Sequence, residues 1–153
     1  MSDRPLLLCY DGSEDAKHAI REAASLFGPD RAARVLSVWQ DAASLPSFAW
    51  AGAALPDLSE VFDAACAGAE RIAEEGAGIA RATGLDPTPI VAEAKGPIWA
   101  AVNDICAEHD AEAVVAGSRG LSGVKSILLG SVSNGIVHHA TRPVVIVRRA
   151  AAT

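Results

Sequence analysis

The sequence predicts an α/β fold in which an open, five-stranded parallel sheet is covered by helices on both faces. Three observations carry that prediction. Five short apolar runs alternate with four segments of helical spacing across the 153 residues, the pattern of βαβ units. The runs are nearly continuous in apolar residues, as strands buried on both faces are. The chain has the length of one ordinary domain, at roughly 100–200 residues per domain, and no repeat, low-complexity tract or linker divides residues 1–153.

The elements follow in order. Residues 6–10 (LLLCY) form the first strand, and Asp11-Gly12-Ser13 turns the chain into a helix. Ser13 is a candidate N-cap, Glu14 and Asp15 fall in the first turn, and Ala16, Ala19, Ile20, Ala23 and Phe27 make the buried stripe before Gly28-Pro29 stops it. The second strand is expected over residues 35–39. The second helix places Leu58, Val61, Phe62, Ala65, Ala69, Ile72 and Ile79 at three- and four-residue intervals, with Gly84 beyond its end. Gly76 and Gly78 weaken it, each by up to ~1 kcal/mol relative to alanine. Residues 90–92 give the third strand. A third helix opens at Gly96-Pro97 with proline at its first position and Ile98, Ala101, Val102 and Ile105 facing inward. Residues 113–116 form the fourth strand, a short helix runs from about Ser131 to about His139, and residues 144–147 form the last strand.

Composition narrows the function. Half of the residues are hydrophobic and 5% are aromatic, so the core is aliphatic. A formal charge of -6 lacks the broad basic footprint of sequence-independent nucleic-acid binding. The N-terminal apolar run is too short for a signal-peptide core or a membrane span, so a cytoplasmic location is expected, with no membrane partner. Cys9, Cys66 and Cys106 form no CxxC pair and read as small buried apolar residues. Neither the adjacent His138 and His139 nor the isolated His18 and His109 have metal-ligand spacing; the latter two are expected at the surface. The connection over residues 40–56 is long, and its Phe48 and Trp50 either cover a site or pack on the domain's own helices.

Ligands of open parallel sheets bind at the carboxyl ends of the strands. Two such positions are informative: Asp11-Gly12-Ser13 after the first strand, and the glycine-punctuated residues 117–131 after the fourth. Glycines permit positive φ and the close approach of backbone N–H groups to an anion, and Gly130-Ser131 opens a helix whose positive end favours phosphate. Ser131 and Ser133 add hydroxyls, and Arg119 and Lys125 add cations. Two plainer readings stay open: a glycine-rich turn with Ser131 as an N-cap, and Asp11 capping the first helix with Ser13. No Gly-Lys-Ser/Thr triplet or GxGxxG is present. A phospho-accepting receiver domain is disfavoured too, because it needs paired acids after the first strand and an aspartate where Ala94-Lys95-Gly96 stands.

The spacing Gly117-Ser118-Arg119-Gly120, nine residues, then Gly130-Ser131 resembles the ATP-binding motif of the universal stress protein family. The resemblance extends along the chain, from the early strand ending in Asp-Gly-Ser to the closing Arg-Pro-Val-Val-Ile-Val run. It implies a Rossmann-like sheet of order 3-2-1-4-5 with the Asp11 and Gly117 loops facing each other. It further implies that Asp11 lies against ribose or adenine, that Val38 contacts the base, and that Gly117, Gly120, Gly130, Ser131 and Ser133 line the phosphates. Ala116, Arg119 and Val132 complete the expected ATP site. ATP, with or without Mg2+, is the expected ligand. The last strand would expose an edge, and both that liability and the resemblance point to a homodimer through Val144, Val145, Ile146 and Val147. The function expected is that of a stress-response regulator switched by nucleotide. The alternatives are an interaction scaffold whose pocket is empty or takes AMP or cyclic AMP, and a slow nucleotide hydrolase. No group is evident that would activate water, nor an acidic pair to hold magnesium.

Overall fold

The computed structural model describes residues 2–40, 58–120 and 129–149. Five parallel strands, β1 (Leu6–Cys9), β2 (Ala32–Gln40), β3 (Asp86–Ala94), β4 (Ala113–Gly117) and β5 (Val144–Val147), form one sheet in the order β3-β2-β1-β4-β5. Four helices connect them: α1 (Glu14–Phe27), α2 (Leu58–Ala82), α3 (Ile98–Glu108) and α4 (Ser131–His139). The expected order is therefore the one observed.

The pleat of β1 explains the two layers. Leu6, Leu8 and Tyr10 point to the face covered by Ala16, Ala19, Ile20 and Ala23 of α1 and Ala77 and Ala80 of α2. Leu7 points to the other face, against Val102 and Cys106 of α3 and Ile136 of α4. A central strand packed on both sides must be apolar throughout, hence the unbroken leucine run, each leucine worth ~1.5–3 kcal/mol when fully buried.

Several expectations need correction. β2 and β3 both begin earlier than the apolar runs suggest. Pro87 and Pro89 hide the start of β3, because proline ordinarily argues against a strand. The N–H of Asp86 donates to the Arg31 carbonyl at 2.9 Å, so the residues whose N–H groups face β2 are 86, 88 and 90. The two prolines fall in the other phase, on the outer side of an edge strand, where no donor is needed. β3 and β5, being edges, are only partly buried rather than buried on both faces.

The buried face of α2 centres on a seam of Ala69, Ala73, Ala77 and Ala80; of the expected stripe, Ala69 is buried in it and Ile72 and Ile79 pack partly buried against the same core. Gly76 belongs to that seam: a Cβ there would lie 2.7–2.8 Å from Tyr10 and Val35, so glycine lets the helix approach the sheet. Phe62, expected inside, is 39% exposed and meets Trp39 edge to face, ring centroids 4.6 Å apart. Cys66 and Cys9 are only half-buried; Cys106 is buried. His18 and His109 are likewise half-buried rather than freely exposed. Pro97 stands at the N-cap of α3 rather than at its first helical position. Residues 41–56, with Phe48 and Trp50, and Lys125 lie outside the described residues.

Candidate functional site

The chain order β3-β2-β1-β4-β5 reverses direction of travel beside β1, and there the loops after β1 and β4 diverge to leave a crevice. A cavity of about 250 Å³ occupies it. All ten residues singled out in the sequence line this cavity: Asp11, Val38, Ala116, Gly117, Arg119, Gly120, Gly130, Ser131, Val132 and Ser133. The structure adds a floor and wall the sequence did not reveal, made by Cys9, Tyr10, Ala16, Leu36, Ile98 and Val102, with Ser13 at the edge. These are core residues whose exposed side happens to face the crevice, so hydrophobic patterning assigns them to the core alone.

Asp11 holds its own turn and still faces the cavity. Its Oδ1 accepts the N–H of Ser13 at 2.9 Å, and Ser13 Oγ accepts the N–H of Ala16 at 3.2 Å as the N-cap of α1. The other carboxylate oxygen, Oδ2, lies 2.9 Å from where a Cβ on Gly120 would be. Capping and cavity lining thus coexist in one side chain. Gly117 is required for the same kind of reason, since a Cβ there would come within 2.8–2.9 Å of the Asp15 backbone and side chain. None of Gly117, Gly120 and Gly130 has positive φ, which among the described glycines belongs to Gly12, Gly28 and Gly84. The expectation that the loop glycines supply left-handed backbone is therefore corrected for these three: close approach is what Gly117 and Gly120 provide.

Gly130 differs. Its φ is -68°, its nearest neighbours to an added Cβ are 3.6–3.7 Å away, and it caps α4 without a side-chain hydrogen bond. Ser131 is the first helical residue and not the cap, which corrects the plainer reading of that serine. The first intrahelical bond runs from Asn134 N–H to the Gly130 carbonyl at 2.9 Å, so the N–H groups of Ser131, Val132 and Ser133 have no acceptor inside the helix. Ser133 Oγ donates to the Ser118 carbonyl at 2.9 Å, tying α4 to the loop after β4. An anion at this end would meet unpaired donors and the positive end of the helix.

Behind the loop lies a polar group the sequence reading placed only as a first-turn acid. Asp15 is buried, with Oδ2 accepting from Ser118 Oγ at 3.1 Å and facing Arg119 Nε at 3.6 Å, while Oδ1 accepts from Arg149 Nε. Burial opposes its ionisation, but the hydrogen bonds from Arg149 and Ser118 and the charges of both arginines outweigh that and hold the carboxyl below its usual range. A clue was available: Asp15 directly precedes Ala16 at the start of the buried stripe. Cys9, by contrast, is shifted upward. Burial, with Cys106 and Asp11 nearby, pushes its thiol up to about 12.

An open parallel sheet with a glycine loop and a helix N-terminus converging on one crevice at its switch point defines a doubly wound α/β protein. The universal stress protein family matches residues 4–148, and the chain belongs to that family. Universal stress protein G of Salmonella typhimurium is 42% identical over 65 residues, 42% of this chain and 45% of that protein. The match thus spans less than half the length of that curated relative. Among solved structures, the hypothetical protein MJ0577 superimposes with a TM-score of 0.78 at 20% identity, covering 99% of this chain and 100% of the other. A universal stress protein from Archaeoglobus fulgidus in complex with dAMP gives 0.59 at 22% identity, covering 94% and 96%. These likenesses establish the fold. Among the described residues no helix is long and apolar enough to cross a membrane.

Proposed function

We propose that the chain binds an adenine nucleotide, ATP first, in the crevice between β1 and β4, and acts as a homodimeric, nucleotide-dependent regulator in a cytoplasmic stress response. The observation that carries the reading is the convergence of Asp11, the Gly117–Gly120 backbone and the open N-terminus of α4 on one cavity. In this reading the phosphates lie against the N–H groups of Ser131, Val132 and Ser133 and beside Arg119. The ribose hydroxyls donate to Asp11, and the base rests on the apolar wall containing Val38. Gly130 leaves the phosphate space open.

Asp11 is the one carboxylate lining the cavity among the described residues. Mg2+ would therefore enter on the phosphates, not on a dedicated acidic pair, and the site is read as one that holds nucleotide and hydrolyses it slowly at most. In this reading the dimer forms at β5, which among the described residues pairs with β4 alone and leaves Val144, Val145 and Ile146 partly exposed. A monophosphate is the second reading, favoured by the A. fulgidus protein that binds dAMP. Mass spectrometry of the purified chain tests both. ATP released on denaturation supports the first and AMP or cyclic AMP the second. A chain that carries none and takes up none at millimolar concentration contradicts both.

A further inference from the structure

The proposed nucleotide site uses Asp11 and the glycine loop, yet leaves unexplained the buried carboxylate behind them. Asp15 is 3% exposed and faces two guanidinium groups from distant parts of the chain. The two contacts are unequal. Arg149 Nε makes a hydrogen bond to Oδ1, whereas Arg119 Nε stands 3.6 Å from Oδ2, beyond hydrogen-bond length. Arg119 lines the cavity, and Arg149, two residues past β5, does not.

One buried carboxylate therefore has two cations, the weaker-held of which reaches the proposed phosphate position. Were Arg119 its sole cation, swinging that side chain to a phosphate would leave Asp15 buried and uncompensated, an arrangement strongly disfavoured in a protein interior. With Arg149 in place, the carboxylate stays paired on Oδ1 and hydrogen-bonded by Ser118 on Oδ2 after Arg119 departs.

We infer that Arg149 is a positioning residue for phosphate recognition: it keeps Asp15 neutralised, and so releases Arg119 to pair with the phosphates of a nucleotide at the N-terminus of α4. The inference rests on the nucleotide reading above. Arg149 never touches the ligand in this arrangement, so its effect scales with phosphate charge. It contributes to the preference for ATP over adenosine and nothing to recognition of the nucleoside.

The test is equilibrium titration of ATP and of adenosine into the full chain, with a thermal melt of each variant. Arg149→Gln is expected to weaken ATP by roughly ten-fold or more and to leave adenosine within about two-fold. Adding Asp15→Asn to Arg149→Gln removes the charge that Arg149 served, and ATP affinity is expected to recover. This double variant also covers the case in which Arg149→Gln alone fails to fold. In the Arg119→Gln background, Arg149→Gln should add little. Equal weakening of ATP and adenosine, unchanged ATP affinity, or no recovery on adding Asp15→Asn would overturn the inference alone. A wild-type chain that binds neither ligand removes the nucleotide reading and this inference with it.

Discussion

At the scale of single residues, two glycines of the same loop make opposite demands. Gly117 is packed so closely on Asp15 that alanine has nowhere to put its methyl group, and Gly117→Ala should cost ~1–3 kcal/mol in a denaturant melt. Gly130 has room and extended N-cap geometry, where aspartate is a better cap than glycine. Gly130→Asp is thus expected to leave the melting temperature unchanged or raised while abolishing ATP binding by steric block and charge repulsion. A melting temperature lowered as much as that of Gly117→Ala would show that the position serves the fold. Asp15 sets a pH dependence. Its carboxyl lies below the ordinary 3.8 in the folded chain, so its stabilisation is complete above the unfolded value and fades as pH falls through the folded one. The stability gap between the wild type and Asp15→Asn should accordingly close as pH drops below ~4, as followed by urea melts at each pH. The sequence announces Asp11 and the glycines through spacing. It hides Asp15, because an acid in the first turn of a helix is ordinarily a solvent-facing partner of the dipole and its cations arrive from residues 119 and 149.

At the scale of elements, what the sequence conceals follows from position in the sheet. The leucines of β1 announce a strand because both faces are covered, and α1 announces itself through Ser13 and Gly28. β3 was legible only at its apolar centre, since its prolines are tolerated by the unpaired side of an edge strand. The α2 packing face is only partly legible, through Ala69, Ile72 and Ile79, because the alanines at 73, 77 and 80 contribute little to an apolar stripe whereas Phe62, which stands out in it, is partly exposed. The other edge, β5, leads to a prediction. A proline at Ile146, whose N–H faces away from β4, removes a donor from the unpaired edge and leaves the β4 ladder intact, a device that blocks strand pairing. Sedimentation equilibrium should find the wild type dimeric and Ile146→Pro monomeric and folded. A wild-type monomer at tens of micromolar would remove β5 as an interface.

At the scale of the whole molecule, the negative charge of -6 and the anionic ligand proposed for the crevice are compatible. Backbone N–H groups and the end of α4 are dipoles that act locally, and they bind an anion without any excess of lysine and arginine over the surface. The topology does the assembling: with β1 and β4 adjacent, loops separated by about a hundred residues in sequence meet at the mouth of one cavity. The central claim, that this crevice is a nucleotide site, is tested most directly by isothermal titration of ATP with Mg2+ into the wild-type chain and into Gly130→Asp side by side. The prediction is saturable binding of one ATP per chain in the wild type, lost in a variant that remains folded. No binding by the wild type at millimolar ATP, or equal binding by the two proteins, would contradict it.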